Sequence, residues 1–191
     1  MKGKKVFVSG GAGVIGRALV PMLVDSGAIV MVGDLESVPV NYPSNIIYRC
    51  GDLNDLTQNE INYFDPEIFI HLAATFERSE ETYGHWEENF HDNLLLSHHL
   101  IDLLRNAPSL KRVVNASSYL IYDKLLYMFP SHQNQPRRLK ETDSINPRNL
   151  TGMSKLNHEI ELDFLSKFTS EKFSSVSARI YRGYGKNSRD I

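Results

Sequence analysis

Only one cysteine, Cys50, occurs among the 191 residues. An internal disulfide is therefore excluded, no cysteine-based zinc site has its ligands, and a lone thiol predicts a chain that works in a reducing cytoplasm. No stretch approaches the roughly 20 apolar residues of a membrane span. The N-terminal MKGKKVFVSGGAG passes from lysines into a short apolar run cut by glycines, unlike a secretory signal. Charge of one sign is scarce too: 21 Lys and Arg face 23 Asp and Glu, for a net charge of −2. Without a long basic run, general nucleic-acid binding is not expected. Repeats, low-complexity tracts and an interdomain linker are also lacking. The length suits one large domain, or one domain and part of another, with enough chain to bury a core without staples.

What is present is alternation. Short β-branched runs read as strands at 4–9, 28–33, 45–52, 67–74, 111–118 and 173–181. Helical patterns lie between them at 14–27, 53–64, 81–106 and 151–169. Pro21 falls inside the first helix and is expected to bend or strain it. Residues 122–147 are polar, hold three prolines and read as a long loop. In the last helix Leu156, Ile160, Phe164 and Phe168 stand four apart and are expected to share one face toward the sheet, as are Leu94 and Ile101 of the helix before it. Strands alternating with helices predict an α/β fold, a doubly wound parallel sheet of Rossmann type with helices on both faces.

The first strand turns into the first helix at VFVSGGAGVIGRAL, with Gly10, Gly13 and Gly16 spaced three apart. One glycine permits the tight turn, one lets backbone approach a pyrophosphate, and one packs helix on strand. The helix N-terminus offers unpaired N–H groups and partial positive charge to that pyrophosphate. Strand two ends in Asp34, which accepts from both ribose hydroxyls of an adenosine and repels a 2′-phosphate. NAD is therefore expected in preference to NADP. Asp52, after strand three, either meets the adenine edge or is an ordinary turn residue.

These residues resemble the extended short-chain dehydrogenase/reductase family, the NAD-dependent nucleotide-sugar epimerases and dehydratases. SGGAGVIG is similar to its phosphate-binding turn, GDL at 51–53 to its adenine-contacting segment, and IHLAA at 70–74 to the strand that lines the cofactor. NLLLS at 93–97 stands where the family has an asparagine-led stretch, and NASSYLIY at 115–122 resembles the strand end with the catalytic serine. Glu141 and Pro147 match the approach to a Y-G-x-S-K helix start, which here reads T-G-M-S-K: Gly152, Ser154 and Lys155 match, while Thr151 replaces tyrosine. None of the nine tyrosines has a lysine four residues on.

The resemblance implies cofactor contacts from Gly10, Gly13, Val14, Ile15, Gly16, Asp34, Leu35, Asp52, Leu53, Leu72, Ala73, Ala74, Asn93 and Lys155. It implies catalytic positions at Ser118, Thr151 and Lys155. The family reaction moves a hydride between a sugar carbon and the nicotinamide while a proton leaves or joins the attached oxygen. Tyrosine suits the proton step because adjacent cations lower its pKa; threonine does not ionise in that range. Thr151 is then either a chemical participant, acting through a water bonded to it and to Ser118 or replaced in the proton step by a substrate group or by Tyr119 or Tyr122, or a helix cap, a role open to Asn149 as well. The lack of T-D-E after the serine position tilts the expected activity from dehydratase toward epimerase or reductase. The alternative is a catalytically silent NAD-binding module that senses or scaffolds. A nucleotide sugar is the implied substrate, and a homodimer through the helices near 81–106 and 151–169 the implied partner. The resemblance further implies an NAD-binding domain over 1–181 and, over 182–191, where Arg182 takes a place often held by a substrate-contacting asparagine, the start of a substrate-binding portion expected to lie mostly outside these 191 residues. His91, His98 and His99 lack converging ligands, so no metal is expected. The basic run at 135–140 reads as a solvated loop sooner than a diphosphate contact.

Overall fold

A computed structural model describes residues 1–76, 81–135, 137–168 and 173–181. Six strands, β1 (Lys5–Ser9), β2 (Ile29–Asp34), β3 (Ile47–Cys50), β4 (Ile68–His71), β5 (Arg112–Ser118) and β6 (Ser174–Ile180), form one sheet in the order β3-β2-β1-β4-β5-β6. Every pairing is parallel. This is the doubly wound order that opens a ligand crevice where the order reverses, between β1 and β4.

Side chains alternate across the sheet because strand periodicity is two. Val6 and Val8 of β1 pack with Val30, Val32 and Ile70 against Val20 and Leu23 of helix α1 (Val14–Asp25). Phe7 points the other way, with Met31, Phe69 and Val113, onto α2 (Gln58–Phe64), α4 (Leu96–Arg105) and α5 (Leu150–Phe168). Burial on both faces explains why the central strands are apolar runs and not alternating patterns. α1 continues without interruption through Pro21. α2 is fixed by a capping box in which Thr57 and Glu60 satisfy each other's backbone N–H groups.

Two expectations are corrected. The helix predicted at 81–106 is α3 (Tyr83–Asn89), a π-helical segment (Phe90–Leu95) and α4 in succession. The wider π turn leaves Asn89 and Asn93 both buried, with Asn93 Nδ2 2.6 Å from Asn89 Oδ1. On α5, Ile160 and Phe164 are more than half exposed, and Leu156 is half-buried. The inward face of α5 instead carries Thr151, Ser154, Lys155, His158 and Leu162. At Ile160 and Phe164 the apolar stripe thus faces outward. The loop at 122–147 is tied down by a bridge between Tyr122 and Ile145 and includes a short 3-10 turn at Lys124–Leu126.

Candidate active site

The three glycines of the first turn are each required for a different reason. Gly10 has φ +71°, and a Cβ there would lie 2.4 Å from the backbone nitrogen of Ala73, where the chain leaves β4. At Gly16 a Cβ would meet the Gly11 carbonyl at 2.0 Å, so α1 packs directly on the turn. Gly13 is the N-cap and has no side chain to cap the helix. The N–H groups of Val14, Ile15 and Gly16 at the first turn of α1 are therefore left for an anion.

Asp34 closes over this turn. Its carboxylate accepts from the N–H of Ala12 at 2.8 Å and of Glu36 at 3.0 Å. Arg17 Nε donates to the Ala12 carbonyl at 2.6 Å and its guanidinium pairs with Glu36 at 3.2 Å. The Tyr42 hydroxyl donates to the Gly11 carbonyl, and burial pushes that phenol up to about 12. Leu35, the residue after Asp34, is exposed. Asp34 thus stands at the end of β2 beside the glycine turn, next to the ion pair of Arg17 and Glu36.

Opposite, Leu72, Ala73 and Ala74 follow β4, with Ala73 against Gly10. Asn93 does not open onto the crevice through its amide: its Oδ1 accepts from Thr75 N–H at 2.8 Å and its Nδ2 serves Asn89. It holds the 72–75 backbone in place. Asp52 caps a 3-10 turn by accepting from Asn54 N–H at 2.8 Å, and lies 3.9 Å from His91. Leu53 is buried, its methyl group where a Cβ on Gly33 would come within 2.6 Å.

The second half of the site is built where β5 ends and α5 begins. Ser118 closes β5, and its hydroxyl accepts from Leu120 N–H at 3.2 Å. Gly152 lets α5 press onto that turn, since a Cβ would stand 2.5 Å from the Leu120 carbonyl oxygen. Asn149 is the cap, accepting from Gly152 N–H at 2.9 Å. The capping role does not fall to Thr151, which is 6% exposed and whose Oγ1 is buried with no hydrogen-bond partner. Lys155, one turn on, is also buried, and desolvation alone pulls its ammonium down to about 8.

Beneath Lys155 lies a polar layer that sequence reasoning missed. His158 donates through Nδ1 toward Asn115 Oδ1 at 3.2 Å and meets His71 edge-on, ring centroids 4.9 Å apart. His71 is held between Ser9 Oγ at 2.6 Å and Ser97 Oγ at 2.9 Å. Burial is the main cause that depresses both imidazoles, His158 to about 3 and His71 well below its ordinary range, with Lys155 adding to both shifts. Ser154 Oγ lies 2.8 Å from Asn89 Nδ2, joining α5 to α3. The signal was faint: single histidines three residues past Lys155 and at the end of a strand.

Both tyrosines suggested as substitutes have partners of their own. Tyr122 is buried with its hydroxyl accepting from Arg179 at 2.9 Å, and Arg179 in turn pairs with Glu159 at 2.8 Å. Tyr119 stacks on Tyr181 at 5.3 Å and meets Tyr127 edge-on at 5.1 Å. The three helix histidines have separate partners: His91 pairs with Asp92, His98 with Glu161, and His99 with the Leu56 carbonyl. Arg137, Arg138 and Lys140 of the basic run are exposed, while Arg182 and the rest of 182–191 lie outside the described residues. No helix among the described residues is long and apolar enough to cross a membrane.

A model of the NAD dependent epimerase/dehydratase family matches residues 6–190. The chain belongs to this family. Among curated relatives, it is 30% identical over 150 residues to a CDP-glucose 4,6-dehydratase of Salmonella typhimurium, a match covering 71% of this chain and 40% of that protein. Among solved structures, MoeE5 in complex with UDP-glucuronic acid and NAD is 27% identical with a TM-score of 0.79, over 97% of this chain and 57% of that one. A UDP-N-acetylglucosamine 4-epimerase from Methanobrevibacter ruminantium M1, in complex with UDP-N-acetylmuramic acid, is 26% identical with a TM-score of 0.74, over 94% and 55%. The chain spans about half the length of these relatives. The family's cofactor is NAD, and the first turn fits its pyrophosphate, since Gly13 leaves the α1 amides uncapped by any side chain.

Proposed function

We propose that this chain forms the cofactor half of an NAD-dependent oxidoreductase acting on a nucleotide sugar, as an epimerase or dehydratase with an altered proton-transfer group. The observation that carries this reading is the contact of Gly152 with the Leu120 carbonyl. It brings buried Lys155 and Thr151 up against the end of β5, where Ser118 presents its hydroxyl, on the sheet edge that holds the glycine turn. NAD, when bound, supplies the hydride acceptor. Ser118 holds the reacting sugar oxygen by a hydrogen bond, and Lys155 holds the nicotinamide ribose. Asp34 selects NAD.

The absence of a Thr-Asp-Glu continuation after Ser118 favours epimerase or reductase chemistry, while the curated relative is a dehydratase. The choice is made by product analysis. The purified chain is incubated with NAD and with UDP-, CDP-, GDP- and dTDP-hexoses, following absorbance of the reduced cofactor and separating the sugars. An isomerised sugar or a 4-keto product supports the reading. Tight NAD binding with no conversion of any sugar sinks it in favour of a silent binding module.

We also propose that the chain pairs with a second copy. The outward faces of α3 to α5 expose Trp86, Phe90, Leu95, Ile160 and Phe164, each above 40%. A face of this kind is what a helix-to-helix dimer buries. A reducing cytoplasm suits the single thiol.

A further inference from the structure

We propose that Asn89 is a positioning residue of the site, one that sets how the start of α5 stands against the backbone at 72–75. The inference rests on the functional reading above and on one continuous series of buried hydrogen bonds.

The series begins just past Ala73 and Ala74, where the chain leaves β4. The Thr75 N–H donates to Asn93 Oδ1 at 2.8 Å, Asn93 Nδ2 donates to Asn89 Oδ1 at 2.6 Å, and Asn89 Nδ2 donates to Ser154 Oγ at 2.8 Å. The Ser154 hydroxyl completes it by donating to the carbonyl of Leu150, the first residue of α5, at 2.8 Å. The ends fix the direction. A backbone N–H can only donate and a carbonyl can only accept, so each asparagine amide has one orientation that satisfies every link. Turning either amide over sets donor against donor. Asn89, Asn93 and Ser154 are 1%, 3% and 4% exposed, so a broken link leaves a buried polar group unpaired. Hydrogen bonds in series also polarise one another, and each link strengthens the next.

The two ends belong to opposite halves of the site. The backbone at Leu72 and Ala73 lies against Gly10 of the glycine turn. Ser154 lies on the inward face of α5 between Thr151 and Lys155, and Gly152 of the same turn presses on the Leu120 carbonyl near Ser118. Asn89 is the joint: its oxygen serves the 72–75 backbone through Asn93, and its nitrogen serves α5 through Ser154. It acts only through the residues it holds. With it in place, Ser118, Thr151 and Lys155 meet cofactor and sugar at one fixed spacing. A misplacement of about 1 Å is enough to slow a reaction roughly 100-fold.

Two measurements on the full chain test this. The first needs no substrate. Ser154→Ala removes the acceptor at the α5 end and leaves the Thr75–Asn93 bond itself in place. Exchange of the Thr75 amide is nevertheless expected to quicken by about fivefold, the equivalent of one hydrogen bond, with exchange in β1 unchanged. Wild-type exchange at Thr75 in this variant overturns the proposal whatever the activity, and the result does not require Asn89→Ala to fold.

The second measurement is single-turnover NAD reduction at saturating NAD and sugar, with whichever nucleotide sugar the wild-type chain converts. Asn89→Ala and Ser154→Ala are each expected to slow it by about 10- to 100-fold. The double variant is expected to be no slower than the slower single one, since both cut the same link. NAD affinity is expected to change far less than the rate. A wild-type rate in both single variants, or a loss confined to NAD affinity, overturns the positioning role and leaves the functional reading standing. No reduction by the wild-type chain with any sugar overturns the functional reading, and the positioning role with it.

Discussion

At the scale of single residues, the site is defined by what its neighbours do not allow. Gly10 has both a left-handed backbone and a backbone nitrogen where its side chain would be. Gly10→Ala is expected to cost roughly 1–3 kcal/mol of stability and to weaken NAD binding at least about tenfold, an affinity change of 1.4 kcal/mol. Urea unfolding and calorimetric titration read the two effects, and a variant that matches wild type in both contradicts the steric account. Lys155 gives a prediction in pH. Its folded pKa of about 8 lies below the ordinary 10.5, so between those values the unfolded chain binds the extra proton. Stability therefore rises with pH across that window, by up to roughly 3 kcal/mol from this group, and the penalty is fully present below pH 8. Lys155→Met should abolish that part of the slope and be the more stable protein at neutral pH. Equal pH dependence in the two proteins would show that the ammonium is solvated in the folded state.

At the scale of elements, the π-helical segment matters because it turns Asn89 and Asn93 inward together. Asn93→Ala would leave the Thr75 N–H without its acceptor, at a cost of about 1–3 kcal/mol. Faster hydrogen exchange at the Thr75 amide, with exchange in β1 unchanged, is the expected signature; unchanged protection at Thr75 would mean the loop is held by something else. This segment was not legible in the sequence, since an inserted residue in a helix leaves no mark on an irregular apolar pattern. The strand and helix succession was legible, because parallel strands buried on both faces read as short β-branched runs. α5 was legible as a helix but not in its orientation. Apolar residues four apart marked a face, and the natural inference turned it to the sheet. The inward face is polar, so its own pattern of Thr151, Ser154, Lys155 and His158 did not register as core. The glycine turn and Asp34 were readable from residue types alone. Lys155 and Ser118 were singled out only by resemblance, and the buried His71 and His158 by neither, because one buried histidine per element makes no pattern.

At the scale of the whole molecule, the exposed apolar stripe makes the oligomeric state testable. Ile160→Glu with Phe164→Glu is expected to convert a dimer into a monomer in sedimentation experiments while leaving NAD affinity within a factor of about 2, since substitutions on exposed faces rarely disturb distant sites. A wild-type chain that already sediments as a monomer at high concentration would sink the pairing.

The strand order carries one more consequence, for how the chain reaches this state. No two strands are joined by a hairpin: Val6 pairs with Ile68, and Arg112 with Ser174. β1 meets its first neighbour, β2, across a short helical crossover, but must wait for its second more than sixty residues downstream, and long loops must close before that pairing rewards them. The crevice between β1 and β4, where the cofactor residues gather, is thus expected to be among the last parts of the sheet to acquire native pairing. During synthesis, the glycine turn would emerge well before the strand that gives it its shape.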